Sequence, residues 1–247
     1  MRISAVIIAK NEADNLQLSL PRLSWCDEII VIDDNSTDPT ADIAQSFGAK
    51  VYQRTFDGFG TQKRYGVSMA KNDWILNIDA DEVLSDELIN ELKNLNSDNS
   101  CHAYNIPIRH VFLGKIFMHG KESAYQHLRL FNKNFGNFDE ATVHEKVKVS
   151  GSVLSLKNVI LHHSYKNLSH YFTKFNHYTD TGAKKLKDKG KRRSLIACVL
   201  GFPVYFIKHY FIYGNYLNGW QGFVWSYLNA WYHTVKYLKL YALNKAS

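Results

Sequence analysis

The first hundred residues contain four short runs of strand type, three of them mainly apolar, and a helix is predicted after each of them. These runs cover residues 3–9, 28–33, 50–54 and 74–79. After the first run, Leu16, Leu20 and Leu23 recur at helical spacing, and similar stripes follow the others. Strands that alternate with helices in this way build a parallel sheet covered on both faces. The N-terminal part of the chain is therefore predicted to be an α/β domain.

Two helix starts can be placed from local residues. Asp38 is expected to cap the second helix, with Pro39 at its first position. Ser85 is expected to cap the fourth helix, followed by the acids Asp86 and Glu87.

The pattern changes after Asn96. Residues 103–109, 127–132 and 153–163 are predicted strands of an antiparallel or mixed extension of the sheet. One helix is expected from Leu168 to about Lys189, and two or three aromatic helices between residues 194 and 243. These patterns divide the chain into a domain of residues 1–165 and a helical region of residues 166–247.

Charge and aromatic residues concentrate in that second region. The chain carries a net charge of +7, yet residues 184–193 hold seven basic side chains and one acid, and no acid follows Asp188. Of the 34 Phe, Trp and Tyr residues, 15 lie after Arg193. Basic and aromatic side chains together favour a helix at an anionic membrane surface. Nucleic-acid binding by the basic run, and ordinary packing of a helical subdomain, remain alternatives.

The sequence predicts no membrane span and no secretion. Residues 194–207 are uncharged but number only 14, and polar residues interrupt residues 209–235, whereas a span needs about 20 apolar residues. Three widely separated cysteines and an N-terminal run without a cleavage pattern indicate a reduced, cytoplasmic compartment.

Polar side chains follow three of the predicted strands. Residues 9–12 follow the first, Asp34 the second, and Asp79 and Asp81 the fourth. The carboxyl ends of parallel strands meet at one edge, where ligands bind. Two carboxylates there would repel each other unless a divalent metal lay between them, for example on a diphosphate. The alternative is that Asp79 and Asp81 only cap the next helix.

Lys63 or Arg64 would add positive charge near a helix N-terminus, whose free N–H groups can also bind a phosphate. The sequence contains neither a Gly-x-Gly-x-x-Gly pattern nor a Walker loop, which argues against a dinucleotide site or a P-loop.

Four motifs, taken in order, resemble glycosyltransferase family 2 with a GT-A fold. They are Val6-Ile7-Ile8-Ala9-Lys10-Asn11-Glu12, Ile30-Val31-Ile32-Asp33-Asp34-Asn35-Ser36-Thr37-Asp38, Gln62-Lys63 and Leu76-Asn77-Ile78-Asp79-Ala80-Asp81-Glu82. The later motifs Val143-His144-Glu145 and His162-His163-Ser164-Tyr165 are similar to the bacterial subgroup that adds β-linked glucose to the heptose of the lipopolysaccharide inner core.

The resemblance implies an inverting, metal-dependent transfer from a nucleotide sugar, here UDP-glucose, to a lipid-anchored saccharide. It implies Mg²⁺ or Mn²⁺ at Asp79 and Asp81. The donor site it implies comprises Ala9, Asn11, Glu12, Asp34, Lys63, Asp79 and Ala80. The enzyme would work on the cytoplasmic face of the bacterial inner membrane as a peripheral protein, with no nucleic-acid partner.

An inverting transfer also needs a base for the acceptor hydroxyl. The N-terminal acids are committed to nucleoside and metal, so the base is expected in the second half of the domain. Glu145 is the first candidate, and Asp139 and Glu140 are the alternatives. His162 is the candidate for a third metal ligand or a phosphate contact, against the alternative of a partly buried, hydrogen-bonded histidine.

Two other functions fit parts of the sequence. A nucleotidyltransferase would also combine an α/β fold with metal-binding carboxylates, but it would carry a Gly-rich triphosphate loop near its start, unlike residues 9–12. A non-catalytic membrane- or nucleic-acid-binding module would explain only the C-terminal region.

Overall fold

The chain folds into two compact units. Residues 1–108 with 125–162 form the first unit, and residues 109–124 with 163–247 form the second. The computed structural model describes residues 1–95, 101–123, 125–139, 145–165 and 167–245.

The strands, in chain order, are β1 (Ile3–Ala9), β2 (Glu28–Asp33), β3 (Lys50–Gln53), β4 (Trp74–Asn77), β5 (Glu82–Leu84), β6 (Ala103–Phe112), β7 (Lys115–Ile116), β8 (Tyr125–Asn132), β9 (Gly136–Phe138), β10 (Val147–Val149), β11 (Val153–Ser155) and β12 (Ile160–His162). The helices are α1 (Ala13–Ser19), α2 (Thr40–Ser46), α3 (Phe59–Met69), α4 (Asp86–Lys93), α5 (Leu168–Asp188), α6 (Leu195–Ile207) and α7 (Gly219–Lys245).

The main sheet of the first unit has a parallel half and an antiparallel half. Its order is β3-β2-β1-β4-β8-β6-β12-β5. Strands β1 to β4 pair in parallel, whereas β8 pairs antiparallel with both β4 and β6. Strands β9 and β10 form a separate antiparallel pair. The mixed α/β architecture predicted from the sequence is confirmed.

Apolar side chains on both faces of β1 and β2 explain why these strands are central. Five of the seven residues of β1 are apolar and fully or almost fully buried. The apolar stripe predicted for the first helix is also buried: Leu16, Leu20 and Leu23 have no solvent exposure. Gly66 of α3 lies so close to β1 that a Cβ atom there would be 2.5 Å from Cγ1 of Val6. The absence of a side chain at Gly66 therefore lets α3 pack directly on the sheet.

Several local boundaries differ from the prediction. The first helix changes from α to 3-10 geometry at Leu20, next to Pro21, which has no N–H to continue the α-helical bonds. The second helix begins at Thr40 with Pro39 at the N-cap, so the assignment of Asp38 as the cap is wrong by one residue. The Asp38 carboxylate still accepts bonds from the backbone N–H of Thr40, at 3.1 Å, and of Ala13, at 3.3 Å.

Two further differences and one agreement concern the later elements. The fourth strand ends at Asn77 rather than at residue 79, because the backbone turns there to place the acids that follow. The single strand expected over residues 153–163 is two strands, β11 and β12, which pair with different neighbours. Ser85 caps α4 as predicted, accepting from the N–H of Leu88 at 3.2 Å.

The second unit has an aromatic core. Phe112, Phe117, Tyr171, Phe175 and Trp225 pack together with Leu228 and are all buried. The loop before β8 is tied to the C-terminal helices by the amide of Asn218, which accepts bonds from the backbone N–H groups of residues 118 and 119. Part of the C-terminal aromatic content is therefore ordinary packing.

Helix α6 continues as a π-helix over Lys208–Ile212, and a 3-10 turn at Asn215–Asn218 leads into α7. Among the described residues one helical stretch, Leu195–Ile212, is long and apolar enough by length and composition to cross a membrane, and 11% of it is buried. The sequence pattern did not predict this stretch, because the uncharged segment ends before Lys208, whereas the helical structure continues through that residue.

Candidate active site

The carboxyl ends of β1, β2 and β4 meet at one edge of the sheet, as their parallel pairing requires. Ala9 pairs with Asp33 across β1 and β2, and the N–H of Asp34 donates to the carbonyl of Ala9 at 2.9 Å. The N–H of Ile78 donates to the carbonyl of Val6 at 3.1 Å. These bonds place the three polar segments predicted from the sequence side by side.

A first cavity of about 330 Å³ opens at this edge. It is lined by Ile8, Ala9, Lys10, Glu12, Asp34, Phe56, Phe59, Gln62, Asp79, Ala80 and Asp81. The structure thus brings together six of the predicted site residues: Ala9, Glu12, Asp34, Asp79, Ala80 and Asp81. Its lining combines apolar side chains with the carboxylates of Glu12, Asp34, Asp79 and Asp81, which suits a flat polar ligand such as a nucleoside.

Asn11 has a different position from its predicted neighbours. Its backbone is in the left-handed region, with φ of 55°, which Asn tolerates better than most residues. Its N–H donates to Oγ of Ser36 at 2.9 Å, and its Oδ1 accepts from the N–H of Thr37 at 2.8 Å. Asn11 therefore fixes the turn after β2 against the turn after β1.

Asp34 is held as an acceptor at the cavity wall. The ammonium group of Lys10 lies 2.6 Å from its Oδ2, and the backbone N–H of Phe56 donates to Oδ1 at 3.0 Å. The hydrogen bond from Lys10 is the main cause that lowers the pKa of Asp34, and the Phe56 N–H adds to it. Asp34 is thus ionised at neutral pH and able to accept hydrogen bonds from a ligand's hydroxyl groups.

Asp79 is the centre of a buried ion network. The ammonium group of Lys63 lies 2.9 Å from Oδ1 of Asp79 and 2.8 Å from Oε1 of Glu145. The guanidinium group of Arg129 donates to Oδ2 of Asp79 at 2.7 Å and also bonds Glu82. Three acids and two cations therefore share one site, and the side chains of Lys63 and Arg129 are at most one-tenth exposed.

The electrostatics of this network favour the charged forms of Asp79 and Lys63. Burial by itself would raise the pKa of Asp79, but Arg129 and Lys63 outweigh it and hold that pKa well below its usual range. Burial would lower the pKa of Lys63, but Asp79 and Glu145 raise it. For Glu82 burial prevails and raises the pKa, although Arg129 opposes the shift.

Asp81 forms a separate pair with His162. The Nε2 atom of His162 lies 3.2 Å from Oδ2 of Asp81. Burial would lower the pKa of this imidazole, but its bond to Asp81 and the charges of Asp81, Glu82 and Asp79 together outweigh burial and raise it. The pairing of β12 with β5 brings the histidine next to the acids, since His162 faces Glu82 in register.

The Asp81–His162 pair fits two ligands of a divalent cation, one carboxylate oxygen and one imidazole nitrogen. Among the described residues no group of three or more His, Cys, Asp or Glu side chains is arranged to hold a metal by itself. A cation at this pair would therefore need oxygen atoms from a ligand or water to complete its coordination, as Mg²⁺ does on nucleotide phosphates.

A second, larger cavity of about 720 Å³ adjoins the first. It is lined by Phe59, Lys63, Asp79, Gln126, His127, Leu128, Arg129, Phe138, Glu145, Lys146 and Val147. Phe59 and Asp79 line both cavities, so Asp79 stands where they meet. Glu145 belongs to the second cavity alone.

The other candidate bases are placed differently or not described. Oδ1 of Asp139 accepts the backbone N–H of Lys146 at 3.1 Å, a bond that closes the end of the β9–β10 pair. Asp139 therefore has a structural partner and is not a lining residue of the second cavity. Glu140, and the residues Val143 and His144 of the later motif, lie outside the described residues.

Sequence reasoning missed Arg129 and the structural role of Glu82. Arg129 lies between apolar residues on β8, a pattern that predicts an exposed side chain for the arginine, yet the residue is only 9% exposed. Glu82 accepts the backbone N–H of Asp79 at 2.9 Å and so shapes the turn of the acidic motif. The one available signal was that three acids in four residues require more than one nearby cation.

Comparison with known proteins agrees with this geometry. The family model described as "Glycosyl transferase family 2" matches residues 4–150, which include both cavities and the ion network. The chain belongs to glycosyltransferase family 2. The resemblance expected from the four ordered motifs is confirmed, and the protein is a glycosyltransferase.

Relatives extend the similarity over the whole chain. An uncharacterized glycosyltransferase of Rickettsia bellii is 33% identical over 98% of this chain and 87% of its own length. The lipopolysaccharide core biosynthesis glycosyltransferase LpsC of Rhizobium meliloti is 28% identical over 97% of this chain and 92% of its own. Residues 1–349 of S. aureus TarS, solved with UDP-GlcNAc, superpose with a TM-score of 0.50 at 14% identity, covering 100% of this chain and 93% of that one. That similarity supports the GT-A fold.

Proposed function

We propose that this family 2 glycosyltransferase moves glucose from UDP-glucose to a lipid-anchored saccharide, the heptose of the lipopolysaccharide inner core, with inversion at the anomeric carbon. The observation that carries the proposal is the arrangement of two adjoining cavities around Asp79. One has the lining of a nucleotide site, and the other holds a carboxylate suited to act as a base. The similarity to LpsC over nearly the whole chain supports an acceptor in the lipopolysaccharide core.

The donor nucleotide occupies the first cavity in this proposal. Asp34 and Glu12 accept hydrogen bonds from the base and ribose, while Ala9 and Ala80 supply close backbone contact. Asn11 acts indirectly, by holding the turn after β2 in place. The choice of uracil and of glucose rests on the resemblance to the inner-core subgroup.

Asp81 and His162 hold Mg²⁺ or Mn²⁺ in the proposed complex. When bound, the cation supplies Lewis-acid stabilisation of the negative charge that develops on the diphosphate. The carboxylate of Asp79 is already bound by Lys63 and Arg129. We therefore assign direct coordination first to Asp81 and His162, with Asp79 at the junction of donor and acceptor.

Glu145 is the proposed general base. It lines the second cavity, which Asp81 and His162 do not line, and in this proposal the acceptor hydroxyl binds there, across the sugar from the diphosphate. The Glu145 carboxylate takes the proton of that hydroxyl as the oxygen attacks the anomeric carbon. Lys63 fixes the position of this carboxylate, and Lys63 and Arg129 add positive charge near the departing diphosphate.

A lipid-anchored acceptor places the enzyme at the cytoplasmic face of the bacterial inner membrane. The basic segment of residues 184–193 supports peripheral attachment to anionic lipid. Each basic residue near such a surface contributes on the order of 1 kcal/mol.

The base assignment is tested by Glu145→Gln, which keeps the size of the side chain and removes its basicity. We expect normal UDP binding and a loss of kcat of about 10²- to 10⁴-fold at saturating substrate. Asp139→Asn is the matched control because the Asp139 carboxylate accepts the backbone N–H of Lys146, just before β10, and it should retain near-normal kcat. A Glu145→Gln enzyme with the wild-type kcat would remove Glu145 from this role.

A further inference from the structure

The second unit exposes a long apolar surface on α6, the π-helix and α7. On the first two elements, large apolar side chains repeat every three or four residues on one face: Leu195, Ile196, Val199, Leu200, Val204, Ile207, Phe211 and Ile212, with exposures of 48–73%. On α7, Trp220, Phe223, Tyr227 and Trp231 form a second exposed row at helical spacing. We call these two rows the apolar ridge.

The other side of α6 packs on α7 through aromatic contacts. Phe202 contacts Tyr227 with ring centroids 5.2 Å apart, Phe206 contacts Phe223 at 5.5 Å, and Tyr205 stacks on His233 at 4.0 Å. Cys198, on the same side, is buried. Phe223 and Tyr227 of the α7 row thus also contact α6, while each stays 47% exposed, so the two rows flank one helix–helix contact on the outer face of the hairpin. Isolated exposed side chains of this size would not line up along two helices by chance.

The charge around the ridge identifies what covers it. The ridge begins directly after residues 184–193, which carry seven basic groups and one acid. Arg193 stacks on Tyr237 of α7 at 4.3 Å, and Lys187 donates to the carbonyl of Leu243, so the basic segment lies beside the hairpin. A second copy of this chain would present the same positive charge to it, whereas an anionic lipid surface complements it.

We propose that the apolar ridge enters the interfacial layer of an anionic bilayer and lies in its plane, with the basic segment at the headgroups. An apolar face, flanking lysines and arginines, and Trp and Tyr at the margin are the features of an interfacial helix. The stretch Leu195–Ile212 has the length of a short span, but a span exposed to lipid is apolar on all sides. Here one side is covered by α7, which carries Gln221 and Asn229, and Lys208 is exposed near the end of the stretch.

This inference rests on the proposed lipid-anchored acceptor and specifies how the enzyme reaches it. It is tested on the full chain by sedimentation with vesicles of phosphatidylcholine and phosphatidylglycerol, with tryptophan quenching by lipids brominated in their acyl chains. Trp220 and Trp231 of the ridge should be quenched, and the quenching should persist in high salt once the protein is bound.

The variant Ile196→Gln/Val204→Gln/Ile212→Gln keeps all tryptophans and all charges. We expect it to lose acyl-chain quenching and to need about tenfold or more lipid for half-maximal binding, since each replaced side chain loses apolar burial. The matched control, Leu18→Gln/Phe47→Gln/Phe135→Gln, removes exposed apolar residues of the first unit and should bind like the wild type.

Three results would overturn the inference. They are vesicle binding without any acyl-chain quenching, unchanged binding of the ridge variant, and a lipid-free wild-type dimer that the ridge variant converts to monomer. Thermal stabilisation of each protein by UDP and Mn²⁺ without lipid is measured in parallel. If UDP and Mn²⁺ do not stabilise the wild type, the donor proposal is wrong. If they do stabilise it but lipid quenching is absent, only the membrane role of the ridge is wrong.

Discussion

The ammonium group of Lys63 lies 2.8 Å from the carboxylate of Glu145 and 2.9 Å from that of Asp79, and it is almost fully buried between them. Helix α3 thereby links the acidic motif after β4 to Glu145, which lies 82 positions after Lys63 in the chain. The same lysine lines the cavity assigned to the acceptor and bonds Asp79, which lines both that cavity and the one assigned to the donor.

A double-mutant cycle measures this link. Lys63→Met and Glu145→Gln should each lower the free energy of unfolding, and the double variant should lose less than the sum because the two side chains share one contact. The expected coupling is about 0.5–3 kcal/mol, measured by urea unfolding. Pairing Lys63→Met with Asp86→Asn, which is exposed and distant, should give additive losses; additivity in the first cycle as well would mean that the contact contributes nothing to stability.

Arg129→Met should be strongly destabilising. The substitution leaves the buried Glu82 and the partly exposed Asp79 with one cation fewer, and breaking a buried ion pair such as Arg129–Glu82 costs about 3–5 kcal/mol. Arg22→Met is the control because Arg22 pairs with Asp86 at the surface, where such pairs contribute about 0–1 kcal/mol. Similar unfolding midpoints in urea for the two variants would contradict the role of Arg129.

Acid should weaken the second unit through His209. Burial, with smaller contributions from Lys208 and Lys121, lowers the pKa of His209 to about 4. An unfolded histidine has a pKa of about 6.5, so below that pH the unfolded state binds a proton that the folded state does not. Stability is therefore complete above pH 6.5 and falls as the pH drops towards 4.

His209→Leu should remove part of that acid dependence, roughly 1–3 kcal/mol of the loss between pH 7 and pH 4.5. The measurement is urea unfolding at both pH values. His177→Leu, at an exposed position on α5, should leave the dependence as in the wild type. An equally steep loss in His209→Leu would place the acid sensitivity elsewhere.

Two glycine substitutions should have opposite effects. In Gly66→Ala the new methyl group meets Val6, which is fully buried and unable to move aside, so the expected loss is about 1–3 kcal/mol. In Gly201→Ala the nearest atom is Cε2 of Tyr205 at 3.6 Å, an ordinary contact, and alanine favours the helix by about 0.5–1 kcal/mol. Thermal unfolding of both variants checks the contrast; a neutral Gly66→Ala would show that α3 packs less closely on β1.

The sequence predicted the parallel half of the fold well because its signals are local. Apolar runs such as Ile3–Ala9 and Glu28–Asp33 are strands with those same boundaries. Turns and very short elements were predicted less well. Helix α2 begins one residue later than expected, after Pro39. The strand Glu82–Leu84 was not predicted, because a strand of three residues shows no periodicity of its own.

Site residues at the ends of the parallel strands could be predicted from the sequence. Site residues that arrive through pairing of strands distant in the sequence could not. Ala9, Asp34 and Asp81 line one cavity because parallel strands end together. Arg129 reaches Asp79 only because β8 pairs antiparallel with β4, and no local pattern announces that pairing. The exposed ridge was likewise hidden, since apolar content alone does not tell which side of a helix is covered.

Donor turnover tests the account's central claim most directly. The purified enzyme is offered UDP-glucose, UDP-galactose, GDP-mannose and a CMP-sugar, with Mn²⁺ or with a chelator, and release of the nucleotide is measured with and without a heptose-terminated lipopolysaccharide acceptor. The account predicts that UDP-glucose is used with metal, that the acceptor accelerates its consumption, and that Asp81→Asn abolishes it. Turnover of a GDP- or CMP-sugar in place of any UDP-sugar, or equal turnover with the chelator, would contradict it.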